Sequence, residues 1–235
     1  MAGMALAGIV LVVLLAQFTN IDRWVQAPFY DAGAGGWLID RDAAVFRLVL
    51  YDGPKRLLVG VGVLAVLAAL WGAFRAASGR GAGGLWQPAL VLALSLAVVP
   101  SVVGALKSAT HIYCPYHLQT YGGSVPETHL LDRFPADFER PFEGRCFPAG
   151  HASGGFALMA LGAVARTRRG RLAGYGTGLV AGSVMGFYQM AVGAHFLSHT
   201  LVTLLIALGC VGLLRWLVGA GAARMAALAS QRARG

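Results

Sequence analysis

The sequence is short of charge. Only 12% of its 235 residues are Asp, Glu, Lys or Arg, about half the share found in soluble domains, which excludes an ordinary cytosolic globule. Acids are the scarcer sign, ten against nineteen Lys and Arg, and none follows Glu143. Disorder is excluded too, because it requires low hydrophobicity with high net charge, whereas 57% of these residues are hydrophobic and the mean hydropathy is +0.65. The thirty-three glycines follow no Gly-X-Y period, so a collagen helix is excluded. No glycine-rich loop of the P-loop type is present, so nucleotide cradling is not indicated. The basic excess flanks apolar blocks instead of forming the basic face of a soluble module, so nucleic acid is not the expected partner.

What the chain has instead is long apolar blocks. A bilayer span needs about 20 largely apolar residues, and six blocks are candidates: 1–18, 57–74, 88–106, 151–165, 173–194 and 198–219. Lone strands would leave backbone groups unpaired in lipid, so the expected fold class is all-α, a polytopic membrane protein of six transmembrane helices. One membrane domain, 1–235, accounts for the chain. The first block lacks a basic leading region and a small-residue cleavage site, and reads as a retained helix and not a signal peptide. Arg75 and Arg80 follow the second block, Arg166, Arg168, Arg169 and Arg171 the fourth, and Arg215, Arg224, Arg232 and Arg234 the sixth. Excess Lys and Arg mark cytoplasmic connections, so both termini are expected inside. Segments 19–56 and 107–150, which hold all ten acids, are then outside. The Gly/Ala/Arg-rich usage and short loops suit a bacterial inner membrane, with the outer segments in the periplasm.

Cys114 and Cys146 share the second outer segment, where an oxidising compartment permits a disulfide; two free thiols are the other reading. Cys210 falls mid-block as a small packing residue. The 37–51 stretch has apolar residues at helical spacing and is expected to lie along the outer surface, while 79–84 reads as a flexible inner loop. Gly174, Gly178, Gly182 and Gly186 recur every four residues, a stripe that lets a neighbouring helix approach closely.

Polar residues concentrate at one depth. Lys107 ends the third block, Pro148-Ala149-Gly150-His151 opens the fourth, Gln189 and His195 close the fifth, and Ser198-His199 opens the sixth. Ionisable groups at membrane depth are expensive and usually functional. His195 and His199, four apart, would share one face of a continuous helix. They form either a nucleophilic imidazole with a partner that fixes its tautomer or an interfacial polar pair. The same spacing suits a metal, but no carboxylate lies nearby in sequence. The helix start at Gly150-His151 favours an anion, phosphate above all. Lys107 adds a mobile cation or snorkels to the interface, and Arg145 adds a planar fork or is a solvated loop charge.

These residues resemble the type 2 phosphatidic acid phosphatase (PAP2) family of membrane lipid phosphatases, whose tripartite pattern is Lys-x6-Arg-Pro, Pro-Ser-Gly-His and Ser-Arg-x5-His-x3-Asp. Here the motifs read Lys107-x6-Cys114-Pro115, Pro148-Ala149-Gly150-His151, and Tyr188-Gln189-x5-His195-x3-His199. Spacing and order are kept, and the resemblance covers about 57–219. Cys114 and Gln189 stand in place of the two arginines, Ala149 in place of the serine, and His199 in place of the aspartate. Arg145, His111 and Arg140 are the candidates to replace the missing guanidiniums.

The resemblance implies a PAP2-like helical bundle and metal-independent phosphoryl transfer without a cofactor. His195 would attack phosphorus to form a phosphohistidine. His151 would protonate the leaving alkoxide and then activate water, and His199 would orient His195. Lys107, Gly150, Gln189 and Arg145 would bind the phosphate, and a Cys114–Cys146 disulfide would do the holding that an arginine does elsewhere. The implied activity is hydrolysis of a phosphate monoester or pyrophosphate on a membrane lipid at the outer face. Two alternatives are a phosphotransferase from polyprenyl pyrophosphate to a second lipid such as lipid A, and a headgroup-binding protein that has lost catalysis. Nothing in the sequence sets the oligomeric state.

Overall fold

A computed structural model describes residues 2–79 and 84–232. Most of the chain is helical, 72%, with almost no strand. The long elements are α1 (Ala2–Phe18), α4 (Gly53–Ala77), α5 (Trp86–Thr110), α8 (Arg168–Ala191) and α9 (Leu197–Arg232). Shorter helices are α2 (Ile21–Gln26), α3 (Ala44–Arg47), α6 (Gly150–Ala157) and α7 (Ala160–Val164). Tyr30–Asp31 (β1) pairs antiparallel with Gly36–Trp37 (β2).

Among the described residues three helical stretches are long and apolar enough to cross a membrane: Ala44–Ala77, Trp86–His117 and Leu197–Met225. A fourth is reached if Gly3–Phe18 and Ile21–Phe29, bent by 84°, count as one span. The apolar stretch Gly150–Val164 is shorter; at a rise of 1.5 Å per residue it extends about 22 Å, below the roughly 30 Å of a hydrocarbon layer. The outward faces of α1 and α4 carry large apolar residues, among them Leu6, Leu11, Leu64, Leu67 and Trp71, more than half exposed. Apolar surface on that scale marks contact with lipid or protein.

The centre of the bundle is α5, α6, α7, α8 and α9, closed around Val99, Phe156, Met159, Ala160, Ala207 and Val211. α1 packs on α9, and α4 on α5. The glycine stripe of α8 sets how near α6 and α7 can come. A Cβ at Gly174 would lie 2.2 Å from the amide nitrogen of Gly162, one at Gly178 2.3 Å from that of Met159, and one at Gly182 2.1 Å from the Phe156 ring. The first two are approaches to backbone and the third to a buried ring, and no larger residue permits them.

Two expectations are refined. The 37–51 stretch is not one surface helix. Asp31 Oδ1 accepts from the Gly33 and Ala34 amides and Asp40 Oδ1 from that of Asp42, and these Asx turns break the backbone until α3. A π-helical turn, Leu48–Asp52, then runs directly into α4. The last helix continues past 219 to Arg232, since nothing between them breaks it. Of the 79–84 loop only Gly79 and Gly84 are described, and Arg80 and Arg234 lie outside the described residues.

Segments 19–52 and 111–149 form a cap over one end of the bundle. Cys114 is bonded to Cys146, and the Cys146 amide donates to the Ile112 carbonyl at 2.9 Å. Tyr113, Leu118, Tyr121 and Val125 form a buried cluster with Tyr30, Trp37 and Phe196 against it. The cap is pinned to the α8–α9 turn where the Tyr116 amide donates to the Gly193 carbonyl at 3.0 Å and the Ile39 amide to that of Ala191 at 3.2 Å. Gly193 has φ +72° and a Cβ there would sit 2.3 Å from the Trp37 ring, so the turn needs glycine on both counts.

Candidate active site

Four elements converge beneath this cap. Lys107 extends from the last turn of α5, Gly150 and His151 open α6, Gln189 lies in the last turn of α8, and His195 stands in the turn before α9. Lys107, Gly150, His151, Gln189 and His195 line one cavity of about 710 Å³. Away from these polar groups it is a groove walled by Leu58, Val59, Val66 and Leu67 of α4 and Leu96 and Pro100 of α5. From Lys55 to Leu67 it runs about 18 Å along α4.

The start of α6 is fixed by its neighbour. The Ala149 amide donates to the His199 carbonyl at 3.1 Å, and the Thr203 hydroxyl faces the carbonyls of Ala149 and His199 at 3.1 and 3.0 Å. No side chain caps α6, because the N-cap residue is Ala149, so its first amides keep their capacity for an anion. Gly150 brings the chain close to Lys107: a Cβ there would be 3.6 Å from Nζ. The start of α9 is held by Asp22 of α2, whose carboxylate accepts from the Ser198 amide at 2.9 Å and the Ser198 hydroxyl at 2.6 Å. Nothing in the local sequence connects Asp22 with Ser198, 176 positions away.

His195 and His199 are 3% and 1% exposed, so their few partners decide their chemistry. The expectation that they share a helix face is corrected: α8 ends at Ala191 and α9 begins at Leu197, leaving His195 in the turn between them. The break follows from Gly193, and the Ala194 and His195 amides fold back onto the Gln189 carbonyl at 2.8 and 3.2 Å. The two rings still meet, Nδ1 to Nδ1 at 3.5 Å. His199 stands behind His195 and lines a separate recess of about 110 Å³ with Asp22 and His111. Burial above all, then the neighbouring His199 and Lys107, pushes the His195 imidazole well below its usual pKa, while the Cys146 carbonyl opposes that shift. His195 is therefore neutral at neutral pH, the form a nucleophile requires.

His151 is held from outside the recognisable motifs. Its Nε2 lies 3.3 Å from the Leu50 carbonyl, and its ring stacks on Tyr51 with centroids 4.0 Å apart and planes 6° from parallel. Both partners sit in the π-helical turn ahead of α4.

A second chamber of about 480 Å³ meets the first at Tyr51, Lys107, Gln189 and His195. Arg145 lines it, as do Arg41 and Arg47 of the 19–52 segment, which sequence reasoning did not single out. Of the other proposed stand-ins for the missing arginines, His111 and Arg140 line the recess with His199. His111 is 3.5 Å from the Glu143 carboxylate, and the Arg140 guanidinium sits 5.1 Å from the Phe134 ring centroid. Among the described residues no group of three or more His, Cys, Asp or Glu is placed to hold a metal ion.

No curated protein and no solved structure matches the chain. The family model described as the PAP2 superfamily matches residues 88–222, a stretch that carries Lys107, His151, Gln189, His195 and His199 and exceeds half of the sequence. The chain belongs to the PAP2 superfamily.

Proposed function

We infer that the chain is a membrane lipid phosphatase acting through a phosphohistidine at the outer face of a bacterial inner membrane. Superfamily membership supports phosphatase or phosphotransferase activity on phosphorylated lipids. The observation that carries the finer reading is the shared cavity: two imidazoles, an ammonium and an uncapped helix start stand at the head of an apolar groove. A lipid chain fits the groove, which leaves its phosphate among the polar groups.

In this reading Nδ1 of His195 faces His199 and carries the proton, and Nε2 presents its lone pair to phosphorus. Nε2 attacks, the P–O bond to the lipid breaks, and protonated His151 gives its Nδ1 proton to the departing oxygen while Nε2–H stays on the Leu50 carbonyl. Neutral His151 then takes a proton from water as the water oxygen attacks phosphorus. The P–N bond breaks, inorganic phosphate leaves, and both imidazoles return to their starting forms. Lys107, the α6 amides, Gln189 and Arg145 hold the non-bridging oxygens, where charge accumulates. A phosphotransferase shares the first half of this cycle and replaces water with a second lipid. The six-span arrangement with both termini inside rests on the Lys and Arg of the inner connections; it sets the cap and its acids outside.

The test is phosphate release in detergent with EDTA from phosphatidic acid, a polyprenyl phosphate and a polyprenyl pyrophosphate. Release that disappears in His195→Ala is expected. Phosphoryl transfer to an added lipid A acceptor without release would favour the transferase. Neither release nor transfer would leave a headgroup-binding protein, the reading that the missing arginines at Cys114 and Gln189 favour and the retained His151 and His195 oppose.

A further inference from the structure

The second chamber is more basic than one phosphate at His195 requires. Four cations line it, Arg41, Arg47, Lys107 and Arg145, against two acids, Asp42 and Glu143. Arg41 rests its guanidinium 4.6 Å above the Tyr116 ring centroid, and Tyr116 is tied to the Gly193 carbonyl. Arg47 sits 6.0 Å from the Tyr51 ring, with Nε 3.4 Å from Asp52. Among the described residues Arg41, Lys107 and Arg145 form no ion pair, although Arg145 stands near enough to Lys107 for the two like charges to interact. Like charges gathered in a concavity without matching acids are unfavourable unless an anion joins them. Guanidinium groups suit phosphate because their fork matches two of its oxygens.

The place of the chamber narrows the ligand further. The apolar groove and the basic chamber meet only where His195, Lys107, Gln189 and Tyr51 stand. A lipid phosphate reaching that junction from the groove has its chain behind it and the arginines ahead. Arg41 and Arg47 lie outside the 88–222 stretch matched by the superfamily, so they are not parts of the shared motif.

We propose that Arg41 and Arg47 form a second phosphate subsite beside the position at which His195 attacks, with Arg145 standing between the two. It takes either a further phosphate on the lipid headgroup or inorganic phosphate leaving for water. The proposal rests on the lipid phosphatase reading for its role but not for its test, because binding is measurable without turnover.

The experiment titrates inorganic phosphate and pyrophosphate into detergent-solubilised His195→Ala protein by calorimetry, alone and combined with Arg41→Gln and Arg47→Gln. The expected result is binding in the parent that weakens about tenfold or more when both arginines are neutralised and is retained with Arg41→Lys and Arg47→Lys. Unchanged affinity in the Gln variant, or no binding in the parent, overturns the subsite even if the enzyme hydrolyses lipids well. In the active protein, two arms separate the sources. If the ligand is a headgroup phosphate, neutralising the arginines lowers kcat/KM for a polyprenyl pyrophosphate about tenfold more than for the monophosphate. If it is departing phosphate, that ratio holds and inhibition by inorganic phosphate weakens instead. Absence of hydrolysis with intact, arginine-dependent binding would sink the phosphatase reading and leave the subsite standing.

Discussion

Replacing His199 by Asp tests whether the residue behind His195 governs its reactivity. Nδ1 of histidine and Oδ of aspartate both lie two bonds from Cβ, so the carboxylate oxygen can occupy the position that Nδ1 holds, 3.5 Å from Nδ1 of His195. At an effective dielectric constant of about 20, opposite unit charges at that distance attract by about 5 kcal/mol. Hydrogen bonds to charged groups contribute a net of about 1.5–3 kcal/mol. The lower figure is the safer guide, and at about 1.4 kcal/mol per pH unit it raises the His195 pKa by about one to two. In the parent, burial holds that pKa down, so His195 stays neutral and active into acid. In His199→Asp it protonates at higher pH, and the acidic limb of kcat/KM moves upward by about one to two pH units. His199→Asn is the reference: it empties the same volume between the Phe147 and Phe196 rings, which pack edge-on against His199, without adding charge. Coincident acidic limbs in the Asp and Asn variants would falsify the pairing of His195 with position 199 as the control on its charge.

Three further outcomes follow from the packing. Gly178→Ala forces a Cβ to 2.3 Å from the Met159 amide nitrogen and should destabilise by about 1–3 kcal/mol or more; Gly176→Ala, with open space around it, should be neutral or stabilising, as thermal unfolding in detergent will show. Tyr51→Leu removes the stack on His151, worth about 0.5–1.5 kcal/mol, so kcat should fall roughly two- to tenfold while Tyr51→Phe retains it. Reduction of the Cys114–Cys146 bridge frees a loop with a sequence separation of 32, which lowers stability by about 3–4 kcal/mol in the chain-entropy account; an unchanged melting temperature with reductant would refute it.

Helical blocks and the motif residues were legible in the sequence because both obey short-range rules. Apolar runs must become helices in lipid, and the Gly174–Gly186 period announced a close helix contact that the Met159 and Gly162 backbones now fill. The site residues Lys107, His151, Gln189 and His195 were placed at one depth by their positions at block ends, and one cavity gathers them. What stayed hidden is long-range or carried by the main chain. Asp22 anchors Ser198 from 176 residues away, and the carbonyls of Leu50 and Cys146 have no residue signature at all. Arg41 and Arg47 read as ordinary loop charges until the π-helical turn and the Tyr116 ring carry them to the chamber. The turn at Gly193 also shows why spacing alone misleads: His195 and His199 meet as helix partners would, but a glycine at positive φ, and not helix continuity, brings them together.

The departures from the superfamily motif are not scattered. Cys114, where an arginine is usual, is bonded to Cys146, and the Cys146 carbonyl favours the protonated form of the His195 ring, against the effect of burial. The bridge therefore ties the first motif to a main-chain group that acts on His195. A carbonyl accepts an N–H but carries no full negative charge, so it can fix the tautomer of an imidazole while stabilising its protonated form less than a carboxylate would. Histidine in place of aspartate at position 199 works in the same direction, because it sets no fixed negative charge beside His195. Arg145, one residue before the bridged Cys146, lines the same chamber as Lys107 and Cys114. Substitutions that look like separate losses in the sequence occupy one contiguous patch, in which orientation comes from a disulfide-held backbone and positive charge from the cap.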